Sequence, residues 1–174
     1  MVGSLLDDAF DHHVWATIRL IDACAELDPA QLETSVPGTY GSILDTQRHI
    51  VVSDANYLFV LSGERTPQID QDTEDTMDLP ELRAVIQRNG EGWAKVLSEG
   101  PDPHAMTLRR RDDGSETRAP VGLRLAQALH HGTDHRSQIC TAITSLGVVP
   151  PEIDLWALGE QAGTVVDSDV PTTE

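Results

Sequence analysis

Positive charge is scarce in this chain. Lys95 is the only lysine, and together with eleven arginines it faces 29 acidic side chains, for a formal net charge of -17. Such a balance repels phosphate backbones and anionic headgroups, so neither nucleic acid nor a membrane surface is expected as a partner. Cysteine is scarcer still. Cys24 and Cys140 have no CxxC spacing and read as two core thiols. No apolar run approaches the roughly 20 residues that a spanning helix needs. Met1-Val2-Gly3 leads straight into an acidic amphipathic pattern, with no secretory apolar stretch. The expectation is a soluble, cytoplasmic protein. With 174 residues it is most simply one domain, large enough to bury a core, and it shows no internal repeat.

What is present is helical periodicity. Leu6, Phe10, His13, Thr17, Leu20, Cys24 and Leu27 recur at helical spacing and predict a first helix over about 5–27. Two prolines and two glycines in "LDPAQLETSVPGTYGS" break it. A second helix is predicted from Ser42 to Leu61, with Gly63 just past its end. The acidic, aperiodic "GERTPQIDQDTEDTMD" reads as a surface loop. A third helix runs from Leu79 to about Leu97, with Pro80 in its first turn. Asp113-Gly114 lies between two alternating stretches and signals a hairpin within 106–120. A fourth helix covers Val121 to Leu146, and "DLWALGEQAG" adds a short terminal one. These elements predict an all-α helical bundle with a small β-hairpin before the last long helix. The domain is expected over residues 1–163. Residues 164–174, rich in Asp, Ser, Thr and Pro, are expected to form a disordered tail.

The densest chemistry lies in "LHHGTDHRSQI", residues 129–139. Ala128, His131, His135, Ile139, Ala142 and Leu146 follow spacings of three and four, one helix face that points to the core. His131 and His135 then project one turn apart into the interior. Burying two imidazoles without partners is costly, and i,i+4 spacing suits two ligands of one ion. His130 shares a polar stripe with Gln127, Asp134, Ser137 and Thr141, so it is expected at the surface, in reach of Asp134. For a third ligand, His104 lies in a loop. His49 has a mixed helix face, and His13 sits on the apolar stripe of the first helix. Spacing does not rank His49 above His13. His13 and Asp45 stand as weak candidates for a general base, and Gln138 and Arg136 as candidates for orienting ligands or binding a carboxylate.

Two segments carry a resemblance. "GSILDTQRHIVVSDANYLFVLSG" looks like the second helix of the DinB/YfiT-like family of metalloenzymes, and "HGTDHRSQI" resembles that family's H-x-x-x-H-R-x-Q segment. The first helix and "PPEIDLWALG" also fit, so the likeness extends to about Gly163. Ser137 departs from a common glycine, which a helix accommodates. The resemblance implies an up-down-down-up four-helix bundle, a homodimer, and a metal held by His49, His131 and His135. A branch similar to mycothiol-dependent maleylpyruvate isomerase has a glutamate at one ligand position. His131 at that position places this chain nearer the three-histidine members.

Three neutral imidazoles suit zinc or nickel and leave a coordination position open. The expectation is a metal-dependent enzyme acting on a small molecule, an S-transferase that uses a low-molecular-weight thiol as co-substrate in detoxification or stress response. The alternatives are a metal-dependent hydrolase of a small substrate and a non-catalytic metal- or ligand-binding stress protein.

Overall fold

A computed structural model describes residues 4–111 and 113–165. Helix α1 (Leu5–Cys24) starts at a capping box: the Ser4 hydroxyl accepts from the Asp7 N–H while the Asp7 carboxylate accepts from the Ser4 N–H. A four-residue helix α2 (Pro29–Leu32) follows. Ser42 caps α3 (Ile43–Leu61), and Gly63, at φ +66°, turns the chain beyond its end. A short α4 (Gln71–Thr76) leads into α5 (Leu79–Ser98), opened by a reciprocal Asp78–Glu81 cap with Pro80 in the first turn. Strands β1 (Met106–Arg110) and β2 (Glu116–Pro120) pair antiparallel, Met106 opposite Pro120. Helix α6 (Val121–Ser145) is the longest, and α7 (Leu155–Gln161) closes the described chain.

The chain is mostly helical with one small antiparallel sheet, as expected. The long helices and the hairpin fall close to their expected positions. Helices α2 and α4 were not foreseen, because pieces of four and six residues carry no apolar period. The expected surface loop therefore contains a helix, α4. Of the expected tail, residues 166–174 lie outside the described residues, whereas the Thr164 and Val165 amides both donate to the Gly159 carbonyl on α7. Among the described residues no helix is long and apolar enough to cross a membrane.

Helices α1 and α3 each pack against α5 and α6, which encloses the core. That core has two apolar parts. One contains Leu20, Ile21, Ile50, Val51, Leu82, Ile86, Ile139 and Ile143, the other Phe10, Leu58, Trp93, Val121 and Leu125. Between them every long helix contributes a buried polar group: His13 and Thr17 from α1, Asp54 from α3, Asn89 from α5 and Arg136 from α6. Along α1 the order is Phe10, His13, Leu20, and along α6 it is Leu125, Arg136, Ile143. Along α3 and α5 it is reversed: Ile50, Asp54, Leu58 and Ile86, Asn89, Trp93.

The layer is closely bonded. Asp54 accepts from His13 Nε2 at 3.0 Å, from Asn89 Nδ2 at 2.8 Å and from Trp93 Nε1 at 3.0 Å. Arg136 Nη1 donates to His13 Nδ1 at 3.1 Å, to the His13 carbonyl and to Thr17 Oγ1. Since His13 Nδ1 accepts, its Nε2 carries the proton given to Asp54. Burial pulls the Arg136 guanidinium down to about 10, with Asp54 opposing, so it remains charged at neutral pH. His13 packs closely on α6 at Gly132, where a Cβ would collide with His13 Cε1 and come within 2.7 Å of His13 Nδ1 and 2.9 Å of Arg136 Nη1.

This corrects the reading of α6. Its buried face runs through Ala128, Gly132, Arg136, Ile139 and Ile143, while His131 and His135 are half-buried on its flank. A three-and-four spacing marks the edge of an apolar stripe as readily as its centre, and an arginine does not announce burial.

Asp54→Ala removes the common acceptor of three buried donors and should destabilise the fold by about 3–5 kcal/mol in urea unfolding. Gly132→Ala should cost about 1–3 kcal/mol by overpacking against His13, even though alanine is the better helix former by about 1 kcal/mol. A Gly132→Ala protein as stable as wild type would show that the layer yields.

Candidate metal centre

His49 comes from the middle of α3 and His131 and His135 from the middle of α6, helices that pack directly on one another. One ring nitrogen from each lies within 4.8 Å of those from the other two. His131 Nε2 and His49 Nε2 are 3.0 Å apart, close enough to share one proton. The ring centroids lie 4.5 Å apart for His131–His135 and 4.8 Å for each pair with His49. Tetrahedral bonds of 2.0–2.1 Å place ligand nitrogens about 3.3 Å apart, so small ring rotations would bring the three onto one ion.

Other side chains hold the rings. His135 Nδ1 lies 3.1 Å from Gln138 Oε1, which also accepts the Tyr40 backbone N–H at 2.8 Å. With Nδ1–H donated to Gln138, His135 keeps Nε2 for an ion. The Tyr40 ring stacks on His49 at 4.0 Å and 12°, and lies nearly perpendicular to His135 with centroids 5.5 Å apart. Tyr57 meets His131 edge-on at 5.8 Å and accepts from Gln127 Nε2 through its hydroxyl. Behind His49, on its Nδ1 side, Glu74 Oε1 stands 3.9 Å away.

The electrostatics favour neutral rings. Burial, then the neighbouring imidazoles of His135 and His49, pull His131 down to about 4. Burial, reinforced by His135, also lowers His49. Metal ions compete with protons for imidazole, so these rings are ready ligands at neutral pH.

The remaining candidates are placed elsewhere. His13, the rival third ligand, has both ring nitrogens committed in the buried layer. His104 and His130 are exposed, and His130 makes no ion pair with Asp134. Asp45 bonds Ser42 and Arg48 at the start of α3. Arg136 is buried against α1, which removes it as a carboxylate-binding residue, whereas Gln138 does orient a ring. Tyr40, Tyr57 and Glu74 were missed. Tyr40 belongs to a Pro/Gly-rich break, and Glu74 to an acidic run in which no spacing singles it out.

The shift at His131 has a consequence for stability. Between pH 6.5 and about 4 the unfolded chain takes up a proton there that the folded chain refuses, so this site destabilises the fold as pH falls through that window. His131→Asn should therefore gain stability relative to wild type on going from pH 7 to pH 4.5. Parallel stability–pH curves for the two proteins would contradict the shift.

Protein DinB of Bacillus subtilis (strain 168) is 20% identical over 152 residues, which cover 83% of this chain and 88% of that protein. A profile of the DinB family matches residues 1–165, a span that takes in all four long helices, the hairpin and all three clustered histidines, and the chain therefore belongs to the DinB family.

Proposed function

We propose that this protein is a metal-dependent enzyme in which His49, His131 and His135 hold one divalent ion, zinc or nickel. The observation that carries the reading is the approach of three half-buried imidazoles, from two packed helices, to within 4.8 Å of one another. The donor set fits such an ion: all three are nitrogen ligands, and two are held below the ordinary histidine range. A divalent ion there would lower the pKa of a bound thiol or water while leaving a coordination position open.

The chain's own residues supply the rest. Gln138 orients His135. Tyr40 stacks on His49 and is itself exposed, and Tyr57 stands against His131, so a phenol ring lies beside each of these two imidazoles. We assign the reaction as transfer of a low-molecular-weight thiol to a small electrophile. Family membership and a site with neutral ligands, suited to an anionic thiolate, support this choice. The reversed order of the polar layer along α1 and α6 relative to α3 and α5 supports an up-down-down-up bundle, and a homodimer is the assembly proposed.

Protein purified without a histidine tag should contain close to one zinc or nickel ion per chain by elemental analysis. Alanine at His49, His131 or His135 should weaken metal binding by more than about tenfold, since even removing a ligand's hydrogen-bond partner typically costs 10–100-fold. His130→Ala should not. Turnover of an electrophilic substrate should require both the ion and a low-molecular-weight thiol. Thiol-independent hydrolysis would favour the hydrolase alternative, and metal without turnover a binding protein. Wild-type protein that takes up no divalent ion would refute the assignment.

A further inference from the structure

We propose that Glu74 is a positioning residue of the metal centre, its carboxylate set to accept the Nδ1–H of His49. The inference rests on the metal reading of the three histidines and names a residue outside the ligand set. Five of the six residues of α4 are exposed, while Glu74 is turned inward with a side chain only 13% exposed. Its Oε1 lies 3.9 Å from His49 Nδ1, and among the described residues His49 is the only basic side chain within 4.0 Å of it. Arg48, the other nearby base, directs its Nε to the Met77 carbonyl at 2.9 Å and its Nη1 to Asp45, so its charge acts on Glu74 from a distance without an ion-pair contact. Met77, just beyond α4, is buried in the core and anchors that end of the short helix.

The direction of the contact defines the role. His49 Nε2 faces His131, so an ion would sit on the Nε2 side and Glu74 sits on the opposite edge of the same ring. The imidazole stands between the carboxylate and any reacting atom, so Glu74 is not placed to take a proton from a bound water or thiol. It is placed to fix the ring's tautomer, keeping the proton on Nδ1 and the lone pair on Nε2. The gap is about 1 Å longer than a hydrogen bond and needs only side-chain rotation or one bridging water. Gln138 serves His135 in the same sense from the other helix, at 3.1 Å. His49 and His135 thus each have a carboxylate or amide oxygen on the Nδ1 side, one charged and one neutral.

Three measurements test this, two of which need no metal. Ring nitrogen shifts of the metal-free protein should show His49 as the Nδ1–H tautomer in wild type and as a mixture in Glu74→Ala. In cobalt(II) titrations against a competing chelator, Glu74→Ala should lose about 10–100-fold in affinity. Glu74→Gln, which keeps an acceptor oxygen, should recover part of that loss. Asp75→Ala removes the same charge at an exposed neighbour whose carboxylate accepts from Gln71, and should bind within about twofold of wild type, as expected of a solvent-screened charge. The melting temperature of the metal-free variants should match wild type, separating positioning from folding. A wild-type His49 protonated on Nε2, a Glu74→Ala protein with unchanged tautomer, equal losses in Glu74→Ala and Asp75→Ala, or a glutamine no better than alanine would each overturn the proposal. Wild-type protein that binds no cobalt would instead refute the metal reading, and the tautomer measurement would still decide whether Glu74 orients the ring.

Discussion

The structure depends on one buried carboxylate. Asp54 is almost fully enclosed, and an unpaired charge in that position would be prohibitive, so its partners must be in place for the four helices to close. They come from α1 and α5 directly, through His13, Asn89 and Trp93, and from α6 through the arginine that holds the far side of His13. Apolar side chains tolerate a slip along the helix axis far better than a set of directional bonds does. A slip of one turn between α1 and α6 would leave Arg136 and His13 facing hydrocarbon. The polar layer thus sets the axial register of the bundle, and the apolar clusters above and below it supply most of the burial.

The histidine cluster inherits that register. His131 and His135 bracket Gly132, the position against which His13 packs, so the histidine pair and the buried layer occupy the same level of α6. The layer occupies the α1 side of the helix and the histidines the α3 side. What orients Arg136 inward also orients the two imidazoles toward His49. The rings therefore converge as a result of interior packing, with Gln138 and Tyr40 adding the final restraint from the surface.

Much of this was legible in the chain. Long amphipathic periods, capping serines and aspartates, and glycines past the helix ends act locally, so the four long helices and the hairpin could be read directly. The i,i+4 pair was equally local. Three things were not. Periodicity does not separate the centre of the buried stripe from its edge, so Arg136 reads as a ligand-orienting or carboxylate-binding candidate and the histidines as deeper than they are. The choice between His13 and His49 was also tertiary in origin. Both lie on mixed or apolar helix faces, and only the pairing of α1 with the buried aspartate, and of α3 with α6, separates them. The short helices α2 and α4 owe their shape to caps and to packing at their ends, too brief a signal for a period to carry.

His131 and His135 have a consequence for how the chain assembles. Four residues of helix span about 6 Å of rise, so as soon as α6 is helical these two rings stand at a fixed separation whatever the rest of the chain is doing. His49 arrives only when α3 docks. An ion could therefore be held by two ligands in a partly folded chain and by three only in the native one. Its last bond would form at the same moment as the α3–α6 interface. Tight binding would then reward completion of the fold, and the ion would act as a latch that engages after the helices have found their register.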